Sequence, residues 1–241
     1  MQALSRVLVI NPNTSSLVTE ALVQHLGHGV PQVQVQGMTA AFGAPYIADE
    51  YSYCIAGHAV LDAWERAQPS APPQGFAAVL VGCFGDPGLD ALREVAGVPV
   101  LGLAEASLRH MQLQGHAQMA IVTGGAQWKA MLERWARATG YAECITQVQA
   151  LPANGAQMMQ SPDAALAQLA QACEQALHDG RAQAVLLGGA GLAGMGARLR
   201  AHCDVPVWDC VEAASAMLAQ SLAATATGTT ALEFTAAPAE R

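Results

Sequence analysis

The chain predicts an α/β protein of two pseudo-symmetric domains, each a parallel sheet flanked by helices, with the active-site cleft between them. Two observations carry that expectation. Short apolar runs alternate with segments of helical periodicity, the signature of right-handed βαβ units. One strand-and-turn word is also written nearly twice. Ala77-Ala78-Val79-Leu80-Val81-Gly82-Cys83-Phe84-Gly85-Asp86-Pro87-Gly88 returns as Ala184-Val185-Leu186-Leu187-Gly188-Gly189-Ala190-Gly191, and the copies are followed by Val98-Pro99-Val100 and Val205-Pro206-Val207. An unbroken apolar run reads as a strand buried on both faces, and open α/β folds bind ligands at the carboxyl ends of such strands. The second unit starts near Gly115. The first domain is therefore expected over 1–112 plus 211–241, whose helix crosses back, and the second over 113–210.

Taken in order, residues 7–10 form a strand. The turn Asn11-Pro12-Asn13-Thr14-Ser15-Ser16 follows and ends in good capping residues, before Leu17, Ala21, Leu22 and Leu26 recur at helical spacing. Residues 32–36 alternate as a second strand, 38–45 are Gly/Ala-rich loop, and a helix over about 48–65 carries Tyr51, Ile55, Ala59 and Asp62. Beyond the prolines of 68–75 come the central strand, a helix at 89–95, a strand at 98–103 and a helix at 105–112 closed by Gly115. The pattern then restarts with a strand at 118–122, the turn Thr123-Gly124-Gly125, a helix at 128–138, a strand at 144–149 and a loop at 151–160. Ser161 and Pro162 are an N-cap and first-turn proline opening a long helix to His178. The second central strand, a helix near 194–202, a strand at 205–209 and a helix at 211–223 complete the set. The tail from Ala236 is expected to fray.

A chain of 241 residues with 52% hydrophobic and 12% charged residues buries enough surface to fold without a metal or disulfide staple. The net charge of -8, with only 11 scattered Lys and Arg, argues against nucleic acid as a partner. The six cysteines form no CxxC pair and the seven histidines no HExxH set, so no metal site is expected. The absence of GxGxxG and P-loop words disfavours nucleotide cofactors. The first residues lack the apolar core of a signal peptide, and no apolar run reaches transmembrane length, which points to a cytoplasmic protein with no membrane contact.

Cys83 leads the candidates for chemistry. Most free cysteines are small buried hydrophobes, but this one ends a strand ahead of a glycine-rich turn and a helix, where backbone N–H groups are expected to favour a thiolate. Asn11, Asn13, Thr14 and Ser15 follow the first strand. They serve turn formation and capping, and equally offer neutral hydrogen bonds to a carboxylate or ureide. Phe84 and Gly85 continue the cysteine turn. Thr123 and Gly124 occupy the equivalent turn of the second half, where glycine permits close backbone approach. Gly188 and Gly189, with Gly191, offer N–H groups for an oxyanion nest. Cys210, just past the last strand, is placed at the crevice as a second candidate, whereas Cys54, Cys144, Cys173 and Cys203 read as structural. Glu105 and Glu212 sit in the first turns of helices, where a carboxylate is favourable in any case. Asp86 and Asp209 are candidates for orienting backbone or ligand.

Five words, Val9-Ile10-Asn11-Pro12-Asn13-Thr14-Ser15, Gly43-Ala44-Pro45-Tyr46-Ile47, Gly82-Cys83-Phe84-Gly85-Asp86-Pro87-Gly88, Pro99-Val100-Leu101-Gly102-Leu103-Ala104-Glu105-Ala106 and Val205-Pro206-Val207-Trp208-Asp209, span most of the chain. On them the sequence resembles the aspartate/glutamate/hydantoin racemase superfamily, above all its hydantoin and allantoin racemase branch. The resemblance implies a cofactor-independent isomerase with two similar α/β domains, a small anionic or ureide-containing substrate in the cleft between them, and a homo-oligomer. It further implies two cysteines on opposite faces of a substrate carbon, one removing and one delivering a proton. Racemisation needs transfer on both faces of a planar intermediate, and a tuned thiol suits the task.

Cys83 matches the first family cysteine. The second lies in a Gly-Cys-Ala-Gly word that here reads Gly188-Gly189-Ala190-Gly191. Three accounts stay open. Another group (Cys210, Glu212, Asp209 or a water) makes the second transfer, or the enzyme works from one face as decarboxylases of the superfamily do, or the protein is an inactive relative that binds small metabolites.

Overall fold

The structure, a computed structural model, describes residues 4–226; the expected fraying tail lies outside them. Among the described residues, eight strands form two four-stranded sheets. The first holds β1 (Arg6–Asn11), β2 (Gln34–Thr39), β3 (Ala78–Val81) and β4 (Val100–Gly102) in the order β2-β1-β3-β4. The second holds β5 (Met119–Gly124), β6 (Ile145–Leu151), β7 (Ala184–Gly188) and β8 (Val207–Asp209) in the order β6-β5-β7-β8. Every pairing is parallel. The repeated words are thus the equivalent strands β3 and β7, and in each sheet the chain reverses its strand order beside them, the kind of switch point at which open α/β sheets bind ligands.

The helices are α1 (Ser16–Gly29), α2 (Glu50–Ala67), α3 (Leu89–Ala96), α4 (Leu103–Leu113), α5 (Trp128–Thr139), α6 (Gly155–Gln160), α7 (Pro162–Leu177), α8 (Met195–Leu199) and α9 (Cys210–Ala226). One apolar cluster runs between the sheets, from Val7, Leu22 and Leu80 through Leu103 and Met111 to Ile121, Leu186 and Met217. Separate clusters fill the outer faces, Leu8, Val60 and Leu92 under α2 and α3, and Val122, Leu169 and Leu199 under α7 and α8. Helix α9 packs on α4 and α1, and the Ser107 hydroxyl of α4 donates to the Cys210 carbonyl at 2.9 Å.

Side-chain devices repeat with the strands. Arg93 donates from Nε to the Val100 carbonyl and pairs with Glu105; Arg200 does the same to the Val207 carbonyl and Glu212. The caps have diverged. Asp86, at φ 55, accepts the Ala104 and Glu105 amides at 2.8 and 2.9 Å and so caps α4 from a distant loop. In the second half Asp209 caps its own helix through the Val211 and Glu212 amides and reaches back to the Gly194 amide.

Several expectations need correction. The strand expected over 98–103 shortens to β4, because the Asp86 carboxylate caps the chain there and α4 begins at Leu103; a cap supplied from a remote loop leaves no local signal. Strand β2 runs on through Gly37 to Thr39, beyond the end expected at Gln36. A Cβ at Gly37 would sit 2.7 Å from Thr19 and Val23 side-chain atoms of α1, so the glycine serves close helix packing. The loop expected at 151–160 contains α6, started by a capping box in which Asn154 and Gln157 bond reciprocally with each other's backbone. Thr123 and Gly124 end β5, so the turn starts at Gly125. The buried face of α2 is Ala56, Ala59, Val60 and Ala63, and Tyr51 is 78% exposed.

Candidate active site

A cleft with a cavity volume of about 40 Å³ lies where the carboxyl ends of the two central strands meet. Gly82, Cys83 and Phe84 line one wall; Thr123, Gly124, Gly188, Gly189, Ala190, Gly191 and Leu192 line the other. The two repeated words touch directly. A Cβ at Gly188 would lie 2.5 Å from the Phe84 ring, so the ring packs flush on bare glycine backbone. Asn13, Val18, Tyr46, Ile47, Trp128, Gly155 and Ala156 complete the lining.

Cys83 is 9% exposed and faces this space. Burial, then the neighbouring Asp86 carboxylate, push its thiol up, whereas helix-end amides were expected to pull it down. Among the described residues no N–H donates to the sulfur: the turn folds so that the Cys83 carbonyl takes the Asp86 amide at 3.0 Å, and α3 starts only at Leu89. Asp86 is itself pushed up to about 7, by burial against the pull of its two amide donors.

The polar turn after β1 divides its work. Asn11 is fully buried and its amide nitrogen donates to Asn13 Oδ1, the Ser15 carbonyl and Thr19 Oγ1 at 2.9, 2.9 and 3.1 Å. It braces the loop and does not line the cleft. The Thr14 amide donates to the Ala44 carbonyl and the Ser15 amide to Asn13 Oδ1; Thr14 and Ser15 also lie off the lining, and Asn13 alone reaches it. Gly85 is covered by the Trp128 ring, whose nearest atom would be 2.8 Å from a Cβ there, and its carbonyl accepts the Tyr53 hydroxyl. Thr123 lines the cleft, but its hydroxyl is engaged by the Gly188 carbonyl at 2.6 Å.

Gly189, the position at which the resemblance implied a second cysteine, lines the same cleft as Cys83. Gly189 has φ 137 and ψ 127, a conformation that favours glycine. A Cβ there would have no neighbour nearer than 3.9 Å, so the space of a side chain is open. Cys210, expected at the crevice, is instead 0% exposed. It is the first residue of α9, which turns it under the loop, and its sulfur accepts the Gly189 amide at 3.4 Å. That amide is therefore taken up by a buried sulfur and is not free for the oxyanion nest expected at this turn. Burial pushes the Cys210 thiol well up.

The remaining titratable side chain of the lining, Tyr46, escaped the sequence reading although it stands in the word Gly43-Ala44-Pro45-Tyr46-Ile47. Its hydroxyl crosses to the second half and donates to the Gly124 carbonyl at 2.9 Å. Trp128 Nε1 fixes the same loop by donating to the Ile47 carbonyl at 2.9 Å. Gly155 and Ala156 belong to α6, whose Asn154-Gln157 spacing was the local signal available. Among the described residues no group of three or more His, Cys, Asp or Glu could hold a metal ion, and no helix is long and apolar enough to cross a membrane.

The model of the Asp/Glu/Hydantoin racemase family matches residues 7–218. A hydantoin racemase of Paenarthrobacter aurescens is 33% identical over 221 residues, 91% of each chain. Two solved structures superpose with a TM-score of 0.83: an allantoin racemase from Klebsiella pneumoniae, 27% identical and covering 98% of this chain and 95% of its own, and one from Pseudomonas fluorescens, 26% identical and covering 98% and 99%. With two sheets meeting at a strand-end cleft and a family match over nearly its whole length, the chain belongs to the Asp/Glu/hydantoin racemase family, whose chemistry is the racemisation or isomerisation of small acidic substrates.

Proposed function

We propose that the protein is a cofactor-independent racemase of hydantoin-like substrates, small ring ureides with a hydrogen on the carbon next to a carbonyl, and that Cys83 is one of its acid/base groups. The observation that carries this is the Cys83 sulfur at the cleft between the paired strand ends, the one thiol among the lining residues. The lining contains no Lys, Arg or His. Burying a free amino-acid carboxylate there would leave a charge without a partner, while a neutral ring amide can be met by Asn13, glycine carbonyls and the amides of Ala190 and Gly191. Those amides suit the oxygen on which charge develops as the proton leaves. Both enantiomers of a 5-substituted hydantoin, incubated in D2O and followed by mass spectrometry and chiral chromatography, test the proposal. Each enantiomer should gain deuterium and invert, and Cys83→Ala should lower inversion at least about 100-fold; exchange with full retention of configuration by the unaltered protein sinks it.

A second reading is favoured by the bare glycine backbone across from Cys83. A lone thiol suits protonation from one face, as in decarboxylation of a malonate-type acid, where the C–C bond breaks, carbon dioxide leaves and Cys83 protonates the enolate. Cys83-dependent carbon dioxide release from such acids, without inversion of hydantoins, selects it.

A further inference from the structure

Two-face proton transfer needs a second group across the cleft, and the candidates can be taken one by one. Cys210 lies beneath the loop with no exposed surface. Glu212 pairs with Arg200 at 2.5 Å, and the Asp209 carboxylate is taken up by three amides; neither lines the cleft. Asn13 carries an amide that does not exchange protons at the required strength, and the Thr123 hydroxyl is held by Gly188. Of the lining residues, only Cys83 and Tyr46 titrate.

We infer that Tyr46 is the second proton carrier, acting on the substrate face opposite Cys83; the inference rests on the racemase reading above. The geometry is that of a first-half loop delivering its phenol to the second-half wall. The sulfur stands at the end of β3, while the phenol oxygen stands at the end of β5, donating to the Gly124 carbonyl at 2.9 Å. The carbonyl orients the proton in the resting state, and the nearby Gly155 backbone favours the ionised oxygen once the proton has gone. Burial pushes the phenol up to about 12, so it starts protonated and ready to donate.

The step balances. Cys83, as thiolate, takes the hydrogen: the C–H bond breaks, an S–H bond forms, and the electron pair moves into the adjacent carbonyl as an enolate. The Tyr46 O–H bond breaks and its proton forms the new C–H bond on the far face, leaving phenolate. The thiol then loses its proton to water and the phenolate gains one, which restores the start. For the other enantiomer the roles exchange.

The test compares D- and L-5-methylhydantoin in D2O with the full chain. For the unaltered protein both enantiomers exchange and invert. In Tyr46→Phe inversion falls at least about 100-fold, while deuterium still enters, with retention, from the enantiomer whose hydrogen faces Cys83. Cys83→Ala shows the reciprocal pattern, with the opposite enantiomer exchanging. Equal loss from both enantiomers in Tyr46→Phe makes the tyrosine a strut and overturns the inference, as does undiminished inversion. Should Tyr46→Phe fold poorly, Tyr46→3,5-difluorotyrosine keeps the hydroxyl and its bonds; a proton carrier moves the alkaline limb of the inversion profile to lower pH, and a strut leaves it in place. An unaltered protein that exchanges without inverting refutes the racemase reading itself, an outcome visible before any variant is made.

Discussion

The Gly189 amide donates to the Cys210 sulfur across 3.4 Å, so the second cysteine expected at the crevice holds the Gly189 loop from beneath and does not line the cleft. Cys210→Ala leaves the amide buried without an acceptor and should lower stability by about 1–3 kcal/mol in urea unfolding, with inversion largely retained. Cys210→Ser, which still accepts, should recover most of that loss. A small haloacetamide should label Cys83 ahead of Cys210 in the folded protein; the reverse order on peptide mapping contradicts the placement of both sulfurs.

Gly189→Cys puts a thiol into open space but asks a non-glycine residue to hold φ 137. The backbone cost is about 1–3 kcal/mol, read as a lower Tm. Where the loop accommodates it, inversion by Tyr46→Phe Gly189→Cys should exceed that of Tyr46→Phe alone, since position 189 lines the same cleft as Cys83. A variant that is destabilised yet no faster argues against Gly189 as the second-face position.

Asp86 ties the acidity of the site to its stability. Its carboxyl is raised from 3.8 to about 7 by burial, so the folded state holds a proton that the unfolded state has released. Its contribution is present in full below pH 4 and is lost as pH rises through 7. Stability should therefore fall between pH 4 and 7, and Asp86→Asn should shrink that slope without abolishing it, because burial also raises Asp209 and Glu105. The Cys83 thiol is raised as well, by burial and Asp86; kcat/KM should climb with pH above 7, and Asp86→Asn should speed Cys83 alkylation at pH 8.

Gly188 and Phe84 are coupled by contact. Gly188→Ala places a methyl group 2.5 Å from the Phe84 ring and should cost about 1–3 kcal/mol by overpacking. Adding Phe84→Leu frees the space, so the double variant should be more stable than the sum of the two single effects. Strict additivity in denaturant titrations would remove the contact from consideration.

The parallel architecture was legible because strands buried on both faces must be apolar runs, and the repeat was legible because β3 and β7 occupy equivalent places and keep their glycines. What escaped was fixed at a distance. The start of α4 depends on a carboxylate in the loop before α3, and the cleft wall depends on a phenol that crosses from position 46 to position 124. Neither relationship has a period or a spacing that a local window can register. Cys210 shows the reverse: its sequence position beside the strand end was read correctly, but the first turn of α9 rotates the sulfur under the loop.

Helix α9 closes the second half in sequence and covers the first in space, packing on α1 and α4. A cut in the connection between α4 and β5 would therefore yield two pieces that are each unfinished. The amino-terminal piece would lack the helix that roofs Leu22 and Met111, and the carboxy-terminal piece would present Val211, Met217 and Leu218 with nothing beneath them. Such pieces should complement each other when expressed together, because each carries apolar surface that only the other covers.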